Sequence, residues 1–126
     1  MEDSFLWRYS SLSVGKLVLF QLNYTHLKSV ALFFALQLVK AAHKCTLLIH
    51  EATFEDGMKS EAIAKRHSTT AEAMSVAAEA QAYRTILTHF STRYPTMPEL
   101  SSRPDVGIAM DFMSVNLLGK NLVFLT

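Results

Sequence analysis

Short β-compatible runs alternate with helical stretches after Lys40, and this alternation most constrains the fold. Residues 46–49 form an apolar run short enough for a buried strand, and residues 85–88 form a second run that ends at His89. Between the two runs, residues 56–66 contain several helix formers and end in basic residues. Such alternation is typical of α/β proteins, in which helices cover a sheet. We therefore predict an α/β fold for this part of the chain.

A second helix is predicted by the clearest local signal in the sequence. In Thr69-Thr70-Ala71-Glu72, a threonine precedes a glutamate by three residues, which matches the capping box that starts many helices. Small apolar residues then recur at helical spacing and would let this helix lie close to a sheet: Ala73, Val76, Ala77 and Ala80. After a loop that contains prolines, further strands are predicted at residues 106–110 and 114–118.

The beginning and the end of the chain have a different character. Residues 17–22 and 30–39 are apolar blocks without a clean period, and neither reaches the roughly 20 apolar residues that a membrane span needs. We expect a soluble protein without a membrane partner. We also expect part of the N-terminal apolar segment to form a helix. The predicted division is 1–37 for the atypical segment, 38–117 for the α/β part and 118–126 for an atypical tail.

The composition limits the size of the core and the choice of partners. With 126 residues the chain can hold one modest domain. Its 12 lysines and arginines nearly balance 11 aspartates and glutamates, so any contact with RNA must be local. The single cysteine, Cys45, excludes an internal disulfide, fits a reducing compartment and is predicted to be a buried core residue.

Two of the five histidines stand where loops meet regular structure, which is where reactive side chains often emerge. His67 directly precedes a helix start, where free N–H groups and the helix dipole attract an anion such as phosphate, and it could give a proton to a leaving oxygen. An ordinary surface histidine beside a capping box is the alternative. His89 follows a strand and suits zinc ligation. His26 and His43 stand isolated, so we predict structural or solvent-facing roles for them.

Other polar residues near these histidines allow supporting roles. His50 and Glu51 follow the first apolar run. They could orient a metal-bound histidine or take part in proton transfer, but we predict that Glu51 caps a neighbouring loop or hydrogen-bonds to a residue of the site. Arg93 and Tyr94 could clamp a phosphate and stack on a base. A surface arginine and a packed tyrosine explain the same pair equally well.

Three ordered motifs closely resemble the C-terminal part of ribonuclease Z, the tRNA 3′-processing endonuclease with a metallo-β-lactamase fold, in its eukaryotic long form. The motifs are Leu47-Leu48-Ile49-His50-Glu51-Ala52-Thr53-Phe54, His67-Ser68-Thr69-Thr70 and Leu87-Thr88-His89-Phe90-Ser91-Thr92-Arg93-Tyr94. The resemblance covers about residues 38–117, and the spacing between the second and third motifs fits the family.

This resemblance implies a partial αββα sandwich and removal of the 3′ trailer from precursor tRNA by water that two zinc ions activate. His89 matches a zinc ligand in the family's His-Phe-Ser motif, and His67 matches the histidine that contacts the scissile phosphate and assists the leaving group. Four further residues are assigned by the resemblance and their positions to support of the site or to RNA phosphate: Glu51, Ser68, Thr69 and Arg93. The implied compartments are the nucleus, the mitochondrion or both.

The chain also departs from the family pattern. The family's His-x-His-x-Asp-His metal cluster is absent, and residues 29–32 stand where its bridging aspartate should fall. The chain thus supplies at most one recognisable zinc ligand, and we expect a truncated product that is inactive alone. The alternative is a non-catalytic fragment that pairs with another metallo-β-lactamase-fold subunit, either as a homodimer or with a complementary N-terminal half. A third reading is a hydrolase of small esters or thioesters, which the motif at residues 67–70 argues against.

Overall fold

The computed structural model describes residues 8–12, 15–20, 28–93 and 97–115. Within these residues, five strands form one sheet in the order β1-β2-β3-β4-β5. The strands are β1 Arg8–Leu12, β2 Gly15–Phe20, β3 Leu47–Glu51, β4 Arg84–Thr88 and β5 Val106–Ile108. The helices are α1 Lys28–Ala41, α2 Lys59–Lys65 and α3 Thr70–Ala80, and a 3₁₀ turn, Asp56–Met58, precedes α2. The predicted α/β class is confirmed.

The sheet is parallel except at one edge. β1 and β2 form an antiparallel pair, whereas β2, β3, β4 and β5 run parallel to their neighbours. Parallel neighbours need a crossover connection, and α1 provides it between β2 and β3 while α2 and α3 provide it between β3 and β4. As a result, the carboxyl ends of β3 and β4 lie side by side, which places the segments that follow them at the same edge.

Two helices cover one face of the sheet with small and aliphatic side chains. α1 and α3 contact each other and meet β3 in a cluster of buried residues: Leu38, Ala42, Cys45, Leu48, Ala77 and Ala80. The alanines of α3 allow the close approach that their spacing predicted. The burial of Cys45 is likewise confirmed.

The opposite face of the sheet is also apolar. Leu47 and Ile86 are buried there, and residues from the segment after β5 pack over them together with Ile49. Two large side chains in that segment, Met110 and Phe112, are 62% and 102% exposed. This face therefore carries an apolar layer whose outer residues are in solvent.

Several boundaries differ from those predicted. β3 continues through Glu51 because both His50 and Glu51 pair with β4 and are buried, whereas the sequence pattern placed them after the strand. The predicted helix over 56–66 begins with a 3₁₀ turn, and β5 ends at Ile108. Of the strand predicted at 114–118, only residues 114 and 115 are described, and they form no named strand.

The segment predicted to be atypical contains the strands β1 and β2 and most of helix α1. α1 runs continuously across the predicted division between residues 37 and 38, and residues 29–32 lie within it. The predicted tail at 118–126 lies outside the described residues. In the described part of the chain, no helix combines the length and the apolar character that crossing a membrane requires.

Thr85 offers a test of the packing between sheet and helices. Its side chain is fully buried, and Oγ1 has no hydrogen-bond partner among the described residues. Because a buried hydroxyl without a partner is costly, Thr85→Val should raise the free energy of unfolding by about 1 kcal/mol in urea denaturation. Thr88→Val, at a half-buried position on the same strand, is the control and should change it by less than about 0.5 kcal/mol. A clear loss of stability in Thr85→Val would contradict this account.

Candidate functional site

Three segments of the chain meet at the carboxyl ends of β3 and β4. The segment after β3, the loop before α3 and the segment after β4 are joined by backbone hydrogen bonds of 2.9–3.2 Å. These bonds run from Ala52 N–H to Thr88 O, from Phe54 N–H to Ser68 O, from Thr70 N–H to Phe54 O and from Ser91 N–H to Thr53 O. The three segments coincide with the three motifs that the sequence singled out.

The side chain of Glu51 lies at the centre of this junction and is fully buried. Its Oε1 accepts the Ser68 N–H at 2.5 Å, and its Oε2 accepts both the backbone N–H and the hydroxyl of Thr53, at 3.1 and 2.6 Å. A buried carboxylate must be compensated by such donors. Both oxygens therefore accept hydrogen bonds within the protein, and Glu51 ties the loop before α3 to the end of β3.

His67 and His89, 22 residues apart in the sequence, come together above this carboxylate. Their rings stack with centroids 5.2 Å apart and planes inclined by 29°. Nδ1 of His67 lies 3.5 Å from Glu51 Oε2, and ligand atoms of all three residues lie within 4.8 Å of one another. The side chain of His67 is 25% exposed and His89 is more exposed, so both rings remain accessible from solvent.

The backbone of His89 has a left-handed conformation, with φ at 64°. A residue with a side chain rarely adopts this region, because doing so costs on the order of 1–3 kcal/mol that the surrounding contacts must offset. Here the bond from Ser91 N–H to Thr53 O holds the turn that follows β4. With this backbone, the imidazole Nδ1 lies 2.7 Å from Oγ1 of Thr53, in the segment after β3.

The start of α3 differs from the prediction that its free N–H groups attract an anion. Thr69 is the N-cap, and the capping box with Glu72 is present as predicted. The backbone N–H groups of residues 69–72 all have protein acceptors: Glu72 Oε2, Phe54 O, Asp56 Oδ1 and Thr69 Oγ1. The expectation of an open anion site there is therefore wrong, because two carboxylates already occupy that helix end.

His50 is part of the packing on the helix-covered side of the sheet. It is 1% exposed, and its Nδ1 lies 2.6 Å from the backbone carbonyl oxygen of Glu51. Burial lowers the pKa of His50, although the hydrogen bond to that carbonyl and the charges of Glu51 and Glu72 act in the opposite direction. His50 is thus a neutral buried group that helps to fix the end of β3.

The remaining predicted residues fall into two groups. Ser68 contributes its backbone N–H to Glu51, and Thr69 is 2% exposed with its hydroxyl in the capping box, so both hold the loop that carries His67. Arg93 is exposed in the turn after His89, and Tyr94 lies outside the described residues. The position that the sequence interpretation missed is Thr53, which contacts Glu51, His67 and His89.

The donor set can be tested against what zinc requires. A catalytic zinc takes about three protein ligands from imidazole, thiolate or carboxylate groups. His89 suits this role because its Nδ1 lies 2.7 Å from Thr53 Oγ1, which leaves Nε2 as the free nitrogen of an exposed ring. Glu51 is less accessible, since it is fully buried and its Oε2 already accepts two hydrogen bonds, but its Oε1 accepts only one. Among the described residues, His89, His67 and Glu51 thus form a group that fits a metal ion, with the exposed His89 as its most accessible ligand.

A cleft beside the two histidines has an acidic rim. Thr53 and Phe90 line it near the site, and three carboxylates line it further out: Glu55, Asp56 and Glu99. Carboxylates repel phosphate, so the cleft does not suit the backbone of a nucleic acid. The imidazoles of His67 and His89, both accessible from solvent, suit a phosphate better than this cleft does.

Proteins related to this chain match only part of it. No model of a known protein family matches the sequence. A tRNase Z of Arabidopsis thaliana that is described as mitochondrial is 52% identical over 83 residues, which make up 64% of this chain and 9% of that protein. The human zinc phosphodiesterase ELAC protein 2 is 48% identical over 80 residues, 62% of this chain and 10% of that protein.

Solved structures give the same result for the fold. The crystal structure of a long-form RNase Z from yeast has a TM-score of 0.57 and 31% identity, over 76% of this chain and 12% of that chain. The matched part thus has the α/β architecture of a partial metallo-β-lactamase fold. Within that class, the predicted resemblance to ribonuclease Z is confirmed. The chain spans about a tenth of the length of these relatives.

Replacing Glu51 tests whether its carboxylate holds the three segments together. Glutamine keeps the shape but offers one acceptor oxygen and two N–H donors, so Glu51→Gln should lower the free energy of unfolding by about 2 kcal/mol. Glu55→Gln changes an exposed carboxylate four residues away and is the matched control. Both are measured by urea denaturation at the same pH. Equal stability of the two variants would show that the Glu51 hydrogen bonds do not support the fold.

Proposed function

We propose that this chain carries part of the active site of a tRNA 3′-end-processing endoribonuclease, which removes the 3′ trailer from precursor tRNA. The observation that supports this most is the joining of His67 and His89 over Glu51, with ring centroids 5.2 Å apart, in a chain similar to proteins named tRNase Z and zinc phosphodiesterase. Each of the two histidines then has its own task.

His67 contacts the scissile phosphate and assists the leaving group. Its Nδ1 faces Glu51 Oε2 at 3.5 Å and Thr53 Oγ1 at 3.3 Å, so Nε2 is the nitrogen available to substrate. In the protonated ring, Nδ1–H points at the buried carboxylate and Nε2–H is free to give its proton to the departing oxygen. Glu51 orients this ring and pairs with its positive charge.

His89 is a zinc ligand through Nε2. Zinc supplies Lewis acidity and an activated water for attack on phosphorus, and two ions are expected from the resemblance. Further ligands are expected from outside this chain, because the sequence has no His-x-His pair and lacks the family's His-x-His-x-Asp-His cluster. The 126-residue chain is therefore expected to be inactive alone.

RNA is bound through few local contacts, since the net charge is only +1. We expect Arg93, exposed four residues past His89, to contact a phosphate. A mitochondrial location is supported by the Arabidopsis relative, which is described as mitochondrial. A nuclear location rests on the sequence resemblance alone.

The proposal is tested with a 3′-extended precursor tRNA. The purified chain with zinc should not cleave it. Mixed with an Arabidopsis tRNase Z lacking the segment equivalent to residues 38–117, the chain should restore cleavage at the trailer junction. His67→Ala and His89→Ala should each reduce the restored rate by about 10²-fold or more, in line with loss of a general acid or a metal ligand.

His43→Ala is the control, because this histidine is exposed and remote from the described site. It should leave the restored rate within about 3-fold of the unchanged chain, as expected for a surface substitution. Cleavage by the chain alone that either active-site variant abolishes would show that the chain holds a complete site. Absence of cleavage in every mixture would overturn the proposed activity.

A second candidate function is a non-catalytic fragment that pairs with another metallo-β-lactamase-fold subunit. The apolar layer over Leu47 and Ile86 favours it, since Met110 and Phe112 beside that layer are largely exposed. Exposed apolar side chains of this kind mark association surfaces. Either a second copy of the chain or the complementary N-terminal half would cover them.

Sedimentation velocity tests this second function. The chain should associate as its concentration rises, and Phe112→Ser should shift it toward the monomer by removing an exposed aromatic side chain. Ile63→Ser, which changes a 51% exposed residue on α2, is the control and should leave the association unchanged. A chain that stays monomeric at every concentration, with or without the complementary half, would exclude this function.

A further inference from the structure

Thr53 occupies the centre of the site although the sequence interpretation gave it no role. Its Oγ1 lies 2.6 Å from Glu51 Oε2, 2.7 Å from His89 Nδ1 and 3.3 Å from His67 Nδ1. Its backbone N–H donates to Glu51 Oε2, and its carbonyl oxygen accepts from Ser91 N–H. Hydrogen bonds therefore hold both the backbone N–H and the carbonyl group of Thr53. Its hydroxyl lies within hydrogen-bond distance of one carboxylate and two imidazoles.

Counting hydrogens determines the direction of each bond. A threonine hydroxyl has one hydrogen to donate and two lone pairs to accept. A carboxylate can only accept, so the hydroxyl hydrogen points to Glu51 Oε2. The two lone pairs then face the Nδ1 atoms of His67 and His89, and both of these atoms must carry a hydrogen.

A neutral imidazole has one N–H, so a hydrogen on Nδ1 leaves Nε2 as an acceptor with a free lone pair. From this geometry we infer that Thr53 is a positioning residue that holds His89, and more weakly His67, in the tautomer with hydrogen on Nδ1. The inference deepens the proposed function, because a zinc ligand needs that free lone pair on Nε2. The weaker effect on His67 follows from its longer distance, 3.3 Å against 2.7 Å.

The opposite tautomer would disable His89 as a ligand. With hydrogen on Nε2, the exposed nitrogen could not bind a metal, and the lone pair on Nδ1 would face a hydroxyl oxygen whose hydrogen is already donated to Glu51. The contact with Thr53 therefore leaves Nε2 as the nitrogen of His89 that can bind a metal.

The direct test is the tautomer itself, measured on the metal-free chain. Nitrogen-15 NMR with long-range proton couplings distinguishes the two ring nitrogens, at a pH high enough to keep the imidazoles neutral. His89 should show the Nδ1–H form predominantly, whereas exposed His43 serves as an internal reference for the equilibrium of a free ring. A predominant Nε2–H form at His89 would overturn the inference.

Two substitutions test whether the hydroxyl is responsible. Thr53→Ser keeps the hydroxyl and should keep the Nδ1–H form, while Thr53→Val keeps the shape, removes the hydroxyl and should shift His89 toward the populations of His43. A folded Thr53→Val chain with unchanged tautomers would contradict the role of Thr53. Should valine prevent folding, the unchanged chain and Thr53→Ser decide the matter, and a loss of the Nδ1–H form in the serine variant would contradict it as well.

The zinc dependence of cleavage in the mixture with truncated tRNase Z links the tautomer to the proposed function. Thr53→Val should raise the zinc concentration for half-maximal cleavage by about 10-fold, as seen when partners behind a metal-bound histidine are lost. Thr53→Ser should change it by less than about 3-fold. An unchanged zinc requirement in Thr53→Val would count against the positioning role. No cleavage with any chain would reject the proposed activity, and the tautomer measured without metal would still decide the inference.

Discussion

The buried carboxylate of Glu51 is the group on which the geometry of this site depends. It ends β3, it accepts from the loop before α3 through Ser68, and it accepts from Thr53 in the segment after the strand. A charge in that position is tolerated only because donors surround it. The same bonds that compensate its burial therefore hold the His67 loop against Thr53, which in turn contacts the His89 loop through His89 and Ser91.

Much of the fold could be predicted because its signals are local. The capping box at Thr69, the alanine spacing of α3 and the apolar runs of β3 and β4 each depend on a few neighbouring residues. The extension of β3 through Glu51 could not be predicted this way, since polar residues at a strand end usually face solvent. Only the hydrogen bonds from Ser68 and Thr53 make burial of that carboxylate favourable.

The site shows the same division between local and long-range information. The motifs identified His67 and His89, but Thr53 gave no signal because its role depends on three contacts that join residues 2, 14 and 36 positions apart. The start of α3 was misjudged for a related reason. Its sequence indicates free N–H groups, but Asp56, 15 residues earlier in the chain, supplies an acceptor that no local pattern reveals.

The positions of these contacts also bear on the order in which the molecule folds. The bonds from Glu51 to Ser68 and from Thr53 to His89 close loops of 17 and 36 residues, whereas the helices and the capping box need only near neighbours. Closing longer loops costs more chain entropy, and contacts of greater sequence separation form more slowly. The helices can therefore form before the junction at the ends of β3 and β4. A chain released during synthesis would acquire its paired histidines only after the connection between β3 and β4 has closed.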